Sequence, residues 1–170
     1  ALGVIIVDVG KGAIGAGVIP GLDLPFVGID PEISRTWLTI SCASAAVFGH
    51  VWPIYHGFRG GKGAATYIGT FIVLNPFFII PLLLVWAWMI VLFGYVGLAT
   101  MTAAVALPVW LAASRLPADQ ALFIYSVVMA MFIIYWHRSN IQRMRRGEED
   151  QITRLMFFRR KEQATDNEQH

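Results

Sequence analysis

Residues 66–113 read TYIGTFIVLNPFFIIPLLLVWAWMIVLFGYVGLATMTAAVALPVWLAA, with no Asp, Glu, Lys or Arg anywhere in the run. A charge at the centre of a bilayer costs at least about 2.5 kcal/mol, so a run of this kind belongs in lipid. A second charge-free stretch, Thr36–Gly57, lies upstream, whereas the chain from His137 onward is dense in both signs. Of the 170 residues, 56% are hydrophobic and 14% charged, where a soluble domain carries about 25% charged residues. Mean hydropathy is +0.60. The expected class is an all-α integral membrane protein, a polytopic helix bundle.

Working outward from that run, six apolar stretches can be drawn: Ala1–Pro20, Thr36–Pro53, Ala64–Leu74, Phe77–Phe93, Val96–Ala113 and Gln120–Trp136. A helix needs roughly 17 to 25 residues to span the hydrocarbon core, and five of the stretches come close. The third stops at Asn75-Pro76 and reaches only about 16 Å at ~1.5 Å per residue. It is expected as a short helix whose start faces a cavity, because irregular backbone at that depth needs protein or water to cover it. The expected organisation is a bundle with cytoplasmic site loops over residues 1–147 and a charged cytoplasmic tail over 148–170. Phe157-Phe158 followed by Arg159-Arg160-Lys161 suits an anionic leaflet.

Basic residues set the orientation. Arg59 and Lys62 precede the short helix, and Arg138, Arg143, Arg145 and Arg146 follow the last one. The Gly21–Glu32 loop holds Asp23, Asp30 and Glu32. The Arg59–Lys62 loop, the Gly94–Tyr95 turn and the tail are therefore expected in the cytoplasm, and six crossings then alternate. The single cysteine, Cys42, excludes a disulfide framework. The chain starts at Ala1 with no basic leader or small-residue cleavage site, so a segment upstream of it is expected.

The chemistry concentrates in GHVWPIYHGFRGGKGAAT, Gly49–Thr66. Gly60, Gly61 and Gly63 surround Lys62, and a helix is expected to start just after them. Glycines let backbone N–H groups come close to an anion, and a helix N-terminus adds unsatisfied donors and a positive dipole end. With the charges of Arg59 and Lys62 this is a phosphate cradle; the alternative is a basic loop that only fixes topology. It is not a nucleotide P-loop: His56 stands where glycine is needed, Gly63 where Ser or Thr is needed, and no strand precedes it. His137 and Asn140, three apart at the end of the last helix, share a face and combine a proton-exchanging ring with an amide. An ordinary polar helix end is the competing reading. Asp8 and Lys11 are expected to neutralise each other, with Lys11 adding to the anion field. His50 is expected to aim the glycine loop and to reach the ligand. Glu148 and Glu149 are expected to pair with nearby arginines.

These motifs resemble the bacterial acyl-phosphate-dependent glycerol-3-phosphate acyltransferases, the PlsY family. GHVWPIYHGFRGGKGAAT matches that family's G-H-x-x-P-x-[FY]-x-x-[FL]-[KR]-G-G-K-G-x-A-T nearly position for position. HRSNIQR matches its H-x-x-N-I-x-R, and DVGKG its D-V-x-K-G. The resemblance covers essentially the whole chain. It implies a seven-helix bundle with six helices in this chain, open to the cytoplasm of the bacterial inner membrane. The implied reaction moves an acyl group from acyl-phosphate to the 1-hydroxyl of glycerol-3-phosphate, giving lysophosphatidic acid and inorganic phosphate, with no metal or other cofactor. The expected partners are the two substrates and membrane lipids, with no nucleic acid, and the chain is expected to act as a monomer. Lys62, His137 and Asn140 are implied as catalytic, and Arg59, Gly60, Gly61, Lys62 and Gly63 as phosphate-binding. His50, Lys11 and Thr100 are implied as supporting. The family's Ser-Gly-Asn-x-Gly-x-Thr-Asn motif is expected upstream of Ala1, which implies that this chain alone is inactive. Gly97 stands in Tyr95-Val96-Gly97-Leu98 where the family usually has Ser, and Thr100 is the nearest hydroxyl that could stand in for it. A transporter for a small anion is the rival reading, since half-helices aimed at anions also serve transport. A headgroup-binding scaffold is a third, but it leaves the glycine loop unexplained.

Overall fold

The computed structural model describes residues 2–22, 35–58 and 60–152. Arg59, most of the acidic loop and the tail beyond Ile152 lie outside the described residues. The described residues form seven α-helices: α1 (Leu2–Gly17), α2 (Arg35–Val51), α3 (Ala64–Leu74), α4 (Ile79–Phe93), α5 (Val96–Ser114), α6 (Gln120–Trp136) and α7 (Arg138–Arg146). Single 3-10 turns follow α1 at Ile19–Gly21, precede the glycine loop at Ile54–His56 and precede α4 at Pro76–Phe78.

Three helical stretches are long and apolar enough to cross a membrane: Gly3–Gly21, Pro76–Phe93 and Val96–Ser114. A fourth appears if α6 and α7, which meet at 50°, are taken as one bent span. The short third helix occupies Ala64–Leu74 as expected and ends at Asn75-Pro76, where proline cannot continue it.

Lipid tails are as apolar as leucine, so helices in a bilayer associate by close packing, not by expulsion of water. Here α1 lies flush on α3. A methyl group on Gly12 would sit 2.0 Å from the Thr66 carbonyl oxygen, and one on Gly69 would sit 2.0 Å from that of Val9. On its other side α1 meets α2 where Gly15 faces Ala46, and an added methyl there would be 2.6 Å from the Ala46 Cβ. The core is filled by Val47 of α2, Phe71 of α3, Leu107 of α5 and Met129 and Ile133 of α6, all buried. Lys11 is adjacent to Gly12, which touches the first turn of α3. The α1–α3 contact thus carries the charged residues of α1 to the glycine loop.

Candidate active site

The glycine loop is shaped by the protein's own contacts, and each glycine has a different reason. A Cβ on Gly60 would lie 2.0 Å from the His50 carbonyl oxygen and 2.7 Å from Pro53 Cδ. The Gly60 N–H donates to the Val51 carbonyl at 3.1 Å, which closes the loop back onto the end of α2. That amide is therefore spent inside the protein, and Gly60 shapes the cradle without offering it a donor. A Cβ on Gly61 would lie 2.2 Å from His50 Nε2. Gly63 has φ +82° and is the N-cap of α3, a left-handed conformation that costs other residues strain. No side chain caps α3. Its N-terminal donors and positive dipole end are thus available to an anion at the loop.

Lys62 points across the bundle. Its ammonium donates to Asn140 Oδ1, joining residues 78 positions apart. Asn140 Nδ2 in turn donates to Glu149 Oε1 at 2.6 Å, and Arg143 Nε donates to Glu149 Oε2 at 2.6 Å. An amide offers an acceptor on one side and donors on the other, so it can bridge a cation and a carboxylate where Asp or Lys could not. The chain breaks direction at His137 (φ −92°, ψ 9°), which caps the end of α6 and opens α7. His137 and Asn140 are 4% and 5% exposed, so the expected shared face exists and is buried. His137 Nδ1 is 2.8 Å from the Ile133 carbonyl. A carbonyl only accepts, so Nδ1 carries the proton, and in the neutral ring Nε2 is the free base.

Burial lowers the Lys62 pKa, nearby Arg143 lowers it further, and Glu149 opposes both. The Arg143 hydrogen bond holds Glu149 below the usual carboxylate range, against its burial and with help from Asn140. Glu149 is the arginine partner that the sequence leads one to expect, and it is also the anchor of Asn140. The spacing of Asn140 and Glu149 straddles the Gly147 turn, so helical periodicity could not bring them together.

Gly97 packs directly on this assembly. An added Cβ would lie 3.0–3.1 Å from Asn140 Cβ, Nδ2 and Cγ. Thr100 does not take the place of a hydroxyl there. Its Oγ1 donates to the Val96 carbonyl at 2.9 Å and accepts from Trp86 Nε1 at 3.2 Å. Lys11 and His50 are brought to the opposite flank of the loop. Lys11 Nζ is 3.4 Å from Asp8 Oδ1, as expected, and His50 Nδ1 is 3.3 Å from the same oxygen. Lys11, His50, Gly60 and Gly61 are among the residues lining a cleft of about 630 Å³, together with apolar residues such as Ile14, Ile19 and Ala46. The described residues contain no cluster of metal-ligating side chains.

A basic loop at a helix N-terminus is tied to a buried His–Asn face inside an apolar helix bundle, an arrangement suited to phosphate-bearing substrates. Residues 1–147 match the family model described as glycerol-3-phosphate acyltransferase. The chain is 35% identical to the glycerol-3-phosphate acyltransferase of Salinibacter ruber over 87% of its own length and 69% of that protein. It is 34% identical to that of Thioalkalivibrio sulfidiphilus over 80% of its own length and 64% of that protein. Two crystal structures of PlsY, an integral membrane glycerol 3-phosphate acyltransferase, superpose on it at 31% identity. The lysophosphatidic acid form gives a TM-score of 0.74 over 88% of this chain and 71% of that one. The glycerol 3-phosphate form gives 0.75 over 91% and 72%. The chain belongs to the glycerol-3-phosphate acyltransferase family.

Proposed function

We propose that the protein transfers an acyl group from acyl-phosphate to the 1-hydroxyl of glycerol-3-phosphate at the cytoplasmic face of the bacterial inner membrane. The observation that carries this reading is the Lys62–Asn140 hydrogen bond, which joins the glycine loop to the His137–Asn140 face as one site. The products are 1-acyl-glycerol-3-phosphate and inorganic phosphate. In the proposed topology the helices cross the membrane six times, with the Arg59–Lys62 loop and α7 on the cytoplasmic side, and a single chain acts as a monomer.

An acyl-phosphate is already activated, so the protein's work is to orient two anions and stabilise developing charge. The hydroxyl oxygen of glycerol-3-phosphate attacks the acyl carbonyl carbon. The bond from that carbon to the phosphate oxygen breaks, and phosphate leaves with the electron pair. Lys62 and the N-terminus of α3 hold phosphoryl oxygens, and Lys62 offsets the charge that grows on the leaving group. His137 and Asn140 hold the glycerol-3-phosphate side. The hydroxyl proton passes to His137 Nε2 or to a substrate phosphate oxygen.

The test is to mix the complete protein, purified in lipid, with acyl-phosphate and glycerol-3-phosphate in the absence of acyl-CoA and acyl-carrier protein. Equal release of phosphate and lysophosphatidic acid is expected. A folded protein that forms neither product would overturn the reading, and anion flux in proteoliposomes would then be measured.

A further inference from the structure

Asp8 is an ionisable residue inside α1, a helix apolar enough to span a membrane, and such residues are costly unless they serve a site. Its partner Lys11 leaves it incompletely explained. The Lys11 side chain is 56% exposed, whereas Asp8 and His50 are 14% and 12% exposed, and they face each other from different helices. His50 lies in the last turn of α2, and its ring edge fills the space where a side chain on Gly61 would be, with Nε2 nearest. The carbonyl oxygen of the same residue abuts Gly60. The loop therefore rests on His50 twice, once on its backbone and once on its ring, and the ring is met from behind by Asp8.

We propose that Asp8 is a positioning residue for the reaction: it fixes the ring of His50, which sets the course of Gly60–Gly61 beneath the bound phosphate. A carboxylate facing Nδ1 selects the ring orientation and holds the proton on that nitrogen, as carboxylates behind functional imidazoles do. The ring then presents a fixed edge to Gly61, and the loop cannot settle toward α1. Lys11, drawn to the same carboxylate oxygen, lines the same cleft as Gly60 and Gly61. Asp8 acts through His50 and does not touch the substrate.

The inference rests on the reading of the glycine loop as a phosphate site, and the experiment separates the two. Glycerol-3-phosphate binding to the purified complete protein is measured by calorimetry, without turnover, for wild type, Asp8→Ala, Asp8→Asn, His50→Gln and the Asp8→Ala/His50→Gln pair. Loss of loop geometry by Asp8→Ala is expected to weaken binding about tenfold, a misplacement effect. Asp8→Asn keeps an acceptor for Nδ1 and is expected to recover most of that loss. The double variant is expected to bind no more weakly than the worse single one, because both changes release the same ring. Wild-type affinity in Asp8→Ala, or additive losses in the double variant, would overturn the proposal. Should Asp8→Ala fail to fold, an unweakened His50→Gln would overturn it equally. Absence of binding by folded wild-type protein would instead remove the phosphate-site reading beneath it.

Discussion

Lys62 and Asn140, 78 positions apart in the chain, are joined by a hydrogen bond in which the ammonium donates and the amide oxygen accepts. The amide nitrogen passes the link on to Glu149, and Arg143 closes it. The glycine loop and the last helix are thereby held as one unit, although they belong to the ends of different helices.

Asn140→Leu keeps the approximate volume but removes both halves of the bridge. Lys62 and Glu149 each lose a partner, and an unmet partly buried polar group costs about 1–3 kcal/mol. The expected result is a fall in kcat/KM of roughly five- to 150-fold with the protein still folded. Steady-state kinetics with glycerol-3-phosphate as the varied substrate checks it, and an unchanged value would show that the bridge is incidental.

The position of Gly97 against Asn140 makes a second prediction. Gly97→Val places carbon where the amide now lies, at 3.0–3.1 Å, and either Asn140 or α5 must shift. Overpacking of this kind costs about 1–3 kcal/mol. Activity is expected to fall further than thermal stability does, because the displaced group belongs to the site. Equal activity alongside a lowered melting temperature would separate Gly97 from function.

Glu149 and Arg143 should move the alkaline limb of the activity profile in opposite directions. Glu149 raises the Lys62 pKa and Arg143 lowers it, with burial the largest effect on that lysine. Glu149→Gln removes the raising influence, so Lys62 loses its proton at lower pH and the limb shifts down. Arg143→Gln removes a lowering influence, so the limb shifts up. A profile of kcat/KM against pH measures both, and same-direction shifts would contradict the assignment. Glu149 also has a stability sign. Its folded pKa is depressed, so its contribution is present above the ordinary carboxylate value and is lost as pH falls through the folded one.

Gly60→Ala and Gly61→Ala should differ in kind. Gly60 abuts main-chain atoms of His50 and Val51, which cannot move without unwinding the end of α2. The atoms nearest Gly61 belong to the ring of His50, a side chain that can be displaced at the expense of its contact with Asp8. Gly60→Ala is therefore expected to lower the melting temperature markedly, while Gly61→Ala weakens substrate binding in a protein of near-normal stability. Thermal unfolding of both variants beside their glycerol-3-phosphate KM decides it.

Much of the scaffold was legible because the bilayer writes a coarse code of long apolar runs closed by Pro, Gly and charge. Asn75-Pro76 ended the short third helix and the Gly-Gly-Lys-Gly run began it, both at the boundaries observed. What periodicity could not supply was contact between segments. Nothing in the spacing joins Lys62 to Asn140, or Asp8 to His50, because those pairings follow from how the chain turns at His137 and how α1 packs on α2. The glycine loop reads in the sequence as donors for an anion; only the structure shows that the neighbours of Gly60 and Gly61 also leave no room for a side chain. By position in the sequence Thr100 is the nearest hydroxyl that could stand in at Gly97. A threonine inside a helix readily bonds back to the carbonyl four residues earlier, and Thr100 does so with Val96.

Lys62 is the residue to remove first, since it stands at the centre of the loop and bonds to Asn140. The decisive measurement is kcat/KM for acyl transfer from acyl-phosphate to glycerol-3-phosphate by the purified complete protein, wild type against Lys62→Ala, with folding of the variant verified by its melting temperature. A loss of at least about 100-fold in a folded variant is expected, because the charge is made to act where negative charge develops. Activity of Lys62→Ala within about twofold of wild type, well short of the roughly tenfold change that each 1.4 kcal/mol carries, would contradict the account.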